Sequence, residues 1–185
     1  RLRRGSGLHG RARVRRELPS NLIVEVKERK PFLRTRIKDV DGEAKTLLLA
    51  TDGSVYEGIG YPREMLAHLP GVAGIRLKRD KSGFLPIENL EQAAQVVEKV
   101  RAEQPLIYQD WKVLSFSGLD EGSPGRPSVV EAHGRRISSL RFSLEGAELQ
   151  LAKLEDILRH ADRYYQRYPE KIDLSYGRDA VIEWN

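Results

Sequence analysis

The sequence predicts an α+β domain built on a mainly antiparallel β sheet with two main helices. Three observations carry that reading. Short runs rich in β-branched residues recur along the chain, set apart by Pro, Gly and Asp-Gly. Only two long windows place apolar residues at helical spacing. The order is strands, helix, strands, helix, hairpin, with no regular βαβ alternation and no tandem repeat.

Taken in order, the first strand pair is a hairpin. Ala12 to Glu17 is a short charged run with Val14 as its apolar point. Leu18-Pro19-Ser20-Asn21 breaks it, because proline fixes φ and asparagine tolerates turn geometry. "LIVEVKER" then alternates, with Ile23 and Glu25 on one face and Leu22, Val24 and Val26 on the other. Pro31 marks a boundary, and 34–40 reads as a strand. Asp52-Gly53, between Leu47–Ala50 and Val55–Tyr56, favours the positive-φ turn of a tight hairpin. "YPREMLAHLPG" has Pro62 at the start of a helix of one or two turns, stopped at Pro70-Gly71.

"ENLEQAAQVVEKVRAEQ" is the first main helix, with Leu90, Ala93, Ala94, Val97 and Val100 on one side. Leu106 to Ser117 reads as a strand, and "DEGSPGRP" as a loop. Ser128–Ala132 and Arg136–Leu144 form another hairpin. The second main helix is expected from about Ala147 to Tyr168. Its stripe holds Leu151, Leu154, Ile157, Leu158, Ala161, Tyr165 and Tyr168, and Pro169 ends it. The chain closes on a hairpin. Ile172, Leu174 and Tyr176 share a face of its first strand, Gly177-Arg178-Asp179 turns, and Ala180 to Trp184 returns. The sequence therefore finishes on what reads as an open sheet edge.

Composition narrows the function classes. Of 185 residues, 39% are hydrophobic and 32% charged, enough apolar content for one ordinary core. No apolar run approaches the ~20 residues that span a bilayer. There is no cysteine, which excludes disulfides, thiolate metal sites and cysteine nucleophiles. The net charge of +5 is concentrated at the start, where residues 1–16 hold seven arginines and no acid. Such an arm could bind nucleic acid or anionic headgroups. It has no aromatic residue for stacking and no nucleic-acid module follows it, so it is read as an exposed terminus with an arginine-rich edge strand, and no nucleic-acid partner is expected.

No catalytic constellation emerges. His9, His68, His133 and His160 show no metal-ligand spacing. "GIG" at Gly58–Gly60 lacks the third glycine of a dinucleotide turn. Asp39, Asp41 and Gly42 hint at a calcium loop, but no acid closes its twelve-residue frame, so a plain turn is expected. Asp120 and Glu121 are adjacent loop acids with nothing nearby to separate their acidities. No enzyme, cofactor or metal is expected.

An ordered set of motifs resembles the extracytoplasmic region of the bacterial cell-division family FtsQ/DivIB. "VRRELPSNLIVEVKERKP" (Val14–Pro31) resembles the closing hairpin of its POTRA domain. "LLLATDGSVYEG", "LPGVAG" and "AKLEDIL" resemble successive pieces of its β domain, and "KIDLSYGRDAVIEW" its terminal hairpin. Each motif is weak alone, and the ordered set from Val14 to Trp184 is fairly specific. The chain departs from the family in lacking the first strand and two helices of a full POTRA domain. Ser175 also stands where arginine is frequent.

The resemblance implies two parts: 1–30, a basic arm and the closing hairpin of a POTRA-like domain, and 31–185, an FtsQ-type β domain. It implies a non-catalytic divisome scaffold on the periplasmic face of the inner membrane at the septum, anchored in the full-length protein by an upstream helix. FtsB and FtsL would be its partners, FtsB adding a strand to the C-terminal edge. Carried over by position, the partner-binding residues are Ile157, Tyr176, Arg178, Asp179, Ala180, Ile182 and Trp184. Tyr176 and Trp184 would be the aromatic anchors. Alternatives are a POTRA-type transport or assembly module, and a cell-wall-acting enzyme.

Overall fold

A computed structural model describes residues 11–17, 21–27, 29–38, 42–81, 83–117, 119 and 128–184. The arm 1–10, the turn at 18–20, the Asp39–Asp41 segment and the loop at 120–127 lie outside the described residues.

The molecule is α+β, with a large mixed sheet and four α-helices among the described residues. The strands β1 (Arg11–Glu17) and β2 (Asn21–Lys27) pair, among the described residues, only with each other, Val14 opposite Val24. Then come β3 (Pro31–Lys38), β4 (Ala44–Ala50) and β5 (Val55–Glu57), an antiparallel meander. The helix α1 (Arg63–His68) leads to β6 (Gly71–Ala73), and β7 (Arg79–Asp80) and β8 (Gly83–Phe84) make a separate small ribbon. The helices α2 (Leu90–Glu103) and α3 (Pro105–Asp110) precede β9 (Trp111–Ser115). The second half holds β10 (Val129–Gly134), β11 (Ser139–Ser143), α4 (Ala147–His160), β12 (Lys171–Asp173) and β13 (Val181–Glu183).

Nine strands form one sheet in the order β13-β12-β11-β10-β9-β6-β3-β4-β5. Five of its eight strand pairings are antiparallel, as expected, and the other three make the sheet mixed. The pairs β3–β6, β6–β9 and β11–β12 are parallel. Each needs a crossover, and the helix-bearing segments between those strands supply the length.

The two long helices fall where apolar periodicity puts them. Leu90, Ala93, Ala94, Val96, Val97 and Val100 of α2, with Leu151 and Leu154 of α4, pack into one core with Leu47, Leu49, Leu114, Leu140 and Ile172 of the sheet. Leu48, between Leu47 and Leu49, points to the other face. There it meets Ala50, Tyr56, Tyr61, Leu66 and Leu69 in a second cluster.

Two element expectations are corrected. Leu106–Ser117 is not one strand, because its first part is α3. Pro105 sits at the first helical position, and Ile107 is buried while Leu106 is exposed. Buried Asp110 ends the helix by accepting the backbone N–H groups of Arg135 and Arg136 at 2.7 and 2.6 Å, fixing the β10–β11 turn. The second main helix does not carry its stripe to Tyr168. After His160 the chain makes a π turn (Ala161–Tyr165), and Gln166 turns left-handed at φ 51°. The wider turn rotates the stripe, so Tyr165 and Tyr168 are exposed while Ala161 stays buried.

Candidate functional site

The terminal hairpin β12–β13 lies at the edge of the sheet, and among the described residues β13 has a paired neighbour only in β12. Its register sets Lys171 opposite Glu183, Ile172 opposite Ile182 and Asp173 opposite Val181. Two hydrogen bonds orient the backbone. Leu174 N–H donates to the Arg141 carbonyl (2.9 Å), so Leu174 faces β11 and Asp173 faces β13. Glu170 N–H donates to the Glu183 carbonyl (2.8 Å), so that carbonyl faces β12. Alternation then turns the N–H and C=O of Ile182 away from the sheet.

The two faces of the hairpin differ chemically. Ile172 and Leu174 are buried beneath α4, and Ile157 and Ala180 pack partly buried against the same core. Ile182 shares that face through its pairing with Ile172. The Trp184 ring lies on the Tyr165 ring at 4.3 Å between centroids and 31° between planes. The π turn therefore presents Tyr165 as a platform for the last aromatic residue of the edge.

The opposite face is open and polar. Lys171, Asp173, Val181 and Glu183 border a shallow groove of about 580 Å³ with Glu131, His133, Ser139, Arg141 and Tyr176. Lys171 Nζ reaches Glu183 Oε2 at 2.7 Å across the hairpin, and that hydrogen bond raises the lysine's pKa. Arg141 Nη1 donates to Asp173 Oδ2 at 2.8 Å. In the same groove the Ser139 hydroxyl donates to Glu131 Oε1 at 2.6 Å, and His133 Nε2 stands 3.8 Å from that oxygen. Among the described residues no group of three or more His, Asp or Glu could hold a metal ion.

The hairpin turn is tethered. The Lys153 ammonium of α4 donates to the carbonyls of Gly177 and Asp179, the latter at 3.1 Å. Asp179 N–H donates to the Tyr176 carbonyl at 2.9 Å. Arg178 and Asp179 are thus held by their backbone with exposed side chains.

Six of the seven expected residues lie in this hairpin, and Ile157 of α4 packs partly buried against the core that Ile172 and Leu174 enter. Two expectations are corrected. The return strand is Val181–Glu183, shorter than Ala180–Trp184. Tyr176 does not share the core face of Ile172 and Leu174, being 58% exposed. The strand stops at Asp173 because that carboxylate accepts both the N–H (2.9 Å) and the hydroxyl (2.6 Å) of Ser175, bending the chain before Tyr176. Sequence reasoning missed Lys153 and Tyr165 as supports. Lys153 lies in the quoted helix motif, but nothing in its spacing signals a reach to a turn 24 residues on.

Among the described residues no helix is long and apolar enough to cross a membrane. No protein-family model matches the chain, and no curated protein shows significant sequence similarity to it.

Proposed function

We propose that this chain is the extracytoplasmic part of an FtsQ-like division scaffold, without catalytic activity, that docks FtsB and FtsL-like partners at its C-terminal edge. The observation that carries the reading is the free side of β13, the end strand of the sheet, with the Ile182 N–H and C=O directed outward. An incoming strand pairs with those groups, and alternate side chains set specificity.

Large aromatics flank that edge. Trp184 is anchored on Tyr165, and exposed Tyr176 stands at the turn end. Rigid aromatics of this kind bury area at low entropic cost. Ser175 is occupied locally by Asp173, so a charged contact from that position has no counterpart here. The division near residue 30 belongs to the same proposal. Among the described residues the β1–β2 hairpin pairs with no strand of the large sheet, and it shows Val14, Leu22 and Val24 to solvent.

Calorimetric titration with the extracytoplasmic segment of FtsB from the same organism tests the reading. Saturable binding is expected for the wild type. The Tyr176→Ala, Trp184→Ala double variant should lose it while keeping its melting temperature within a few degrees. Full binding by that variant, or none by the wild type, sinks the proposal.

A further inference from the structure

Beside the edge strand lies a surface of which the docking proposal uses only Trp184. Three exposed arginines each sit over an aromatic ring: Arg163 over Tyr164 at 5.4 Å, Arg167 over Trp184 at 6.0 Å and Arg136 over Tyr168 at 5.7 Å. None of the three forms an ion pair among the described residues. That sets them apart from Arg159, held by Glu155 and Asp156, and Arg141, held by Asp173. Tyr164 and Tyr168 are 62% and 42% exposed.

The backbone under this shelf is fixed in three places. Arg163 and Tyr164 ride on the π turn. The Asp110 carboxylate clamps the Arg136 N–H. The Ser138 N–H and hydroxyl both donate to the Glu170 carbonyl, which brings the Arg136 turn beside the segment carrying Arg167 and Tyr168. A guanidinium resting on a ring keeps its in-plane N–H donors free for a carboxylate and is less mobile than a free side chain. The shelf is therefore a set of oriented donors without acceptors among the described residues, bordered by apolar ring surface.

We propose that this shelf binds an acidic segment containing apolar residues, continuous with the strand that pairs with β13. Continuity decides in favour of a peptide over other polyanions. Trp184 directly follows β13, so a chain that pairs with the edge and runs on past Trp184 meets Arg167 first. Glutamate or aspartate on that extension would satisfy the arginines, and its apolar side chains would cover the tyrosines. This inference rests on the docking of a strand at β13, and the test separates the two.

Fluorescence anisotropy on the full chain uses a labelled peptide with one half alternating valine and threonine and one half alternating glutamate and leucine, made in both orders. Each half is also made alone. In one of the two orders the joined peptide should bind at least about tenfold more tightly than either half, and Arg163→Glu with Arg167→Glu should remove that gain. Both arginines are exposed and form no ion pair among the described residues, so the reversals should leave the fold intact, which circular dichroism checks. Ile182→Pro deletes the outward N–H without a ladder bond and should abolish binding of the valine–threonine half.

If the acidic half adds nothing in either order, or the reversals do not matter, the shelf proposal is overturned while edge docking stands. If the acidic half binds alone, loses its binding in the reversals and ignores Ile182→Pro, the shelf stands and edge docking falls. Binding by neither half overturns both. A single-stranded oligonucleotide of equal charge that displaces the joined peptide at equal concentration overturns the assignment to a peptide.

Discussion

At one edge of the sheet the β4–β5 hairpin turns through Asp52-Gly53, and at the other β12–β13 turns through Gly177-Arg178-Asp179. Both turns use a positive-φ glycine, and both edge strands are three residues long. Their surroundings are opposite. Val55 and Tyr56 are buried on the two faces of β5, the first in the main core and the second under α1. The Ile87 carbonyl closes on Gly53 so tightly that a Cβ there would stand 2.7 Å from it. Around Gly177 nothing lies within 4 Å of an added Cβ, and one face of β13 is open groove. An edge strand can therefore be finished by covering its side chains or left available, and one sheet here does both.

The contrast can be broken most forcefully by emptying the covered edge. Leu48→Ala should cost about 3 kcal/mol in urea unfolding, because a fully buried leucine leaves a cavity in the cluster beneath α1. Val181→Ala at the open edge should cost under about 0.5 kcal/mol. Equal losses would refute the distinction.

The turn glycines give the next largest difference. Gly53→Ala combines the left-handed backbone penalty with a clash against the Ile87 carbonyl, and about 2–3 kcal/mol is expected. Gly177→Ala meets only the backbone penalty, about 1 kcal/mol. Chemical denaturation of both variants measures the gap, and no gap would mean that Ile87 moves freely.

A smaller effect appears at alkaline pH. Burial, with the Tyr61 hydroxyl beside it, pushes the Tyr56 phenol well above its ordinary range. A raised folded-state pKa contributes stability that is intact below the unfolded value of about 10 and is lost as pH climbs past it. Wild type should therefore lose up to about 1.4 kcal/mol per pH unit above pH ~10 from this group, and Tyr56→Phe should lack that component. Parallel slopes for the two proteins would remove Tyr56 from the account.

The smallest effect belongs to the exposed Lys171–Glu183 pair across β12 and β13. Its replacement by Lys171→Met should leave the melting temperature indistinguishable from wild type, as exposed pairs usually do. A clear drop would show that the open edge depends on its charged face.

The sequence made local pairing far more legible than sheet assembly. Val14 against Val24, the Asp52-Gly53 turn and the terminal hairpin follow from alternation and turn chemistry, which act over a few residues. The three parallel pairings join strands separated by helices, and no short-range pattern encodes them. The helix at Pro105 hid behind an apolar run that suits strand and helix alike. The expected site residues did gather at one edge, since all but Ile157 lie in one hairpin. The displacement of Tyr176 depended on a side-chain hydrogen bond between Asp173 and Ser175, and the Tyr165 platform on a π turn. Neither leaves a periodic trace.

The brevity of β13 has a consequence for crowding of the chain with its own copies. Two antiparallel β13 strands meeting around Ile182 would share only the one outward N–H and C=O from each side. Two such bonds are worth about 1–3 kcal/mol together, far below the ~8 kcal/mol of a micromolar dimer. A free edge of this length is too short to template a stack of identical molecules. It holds a foreign strand only when that strand brings side chains of its own to the task.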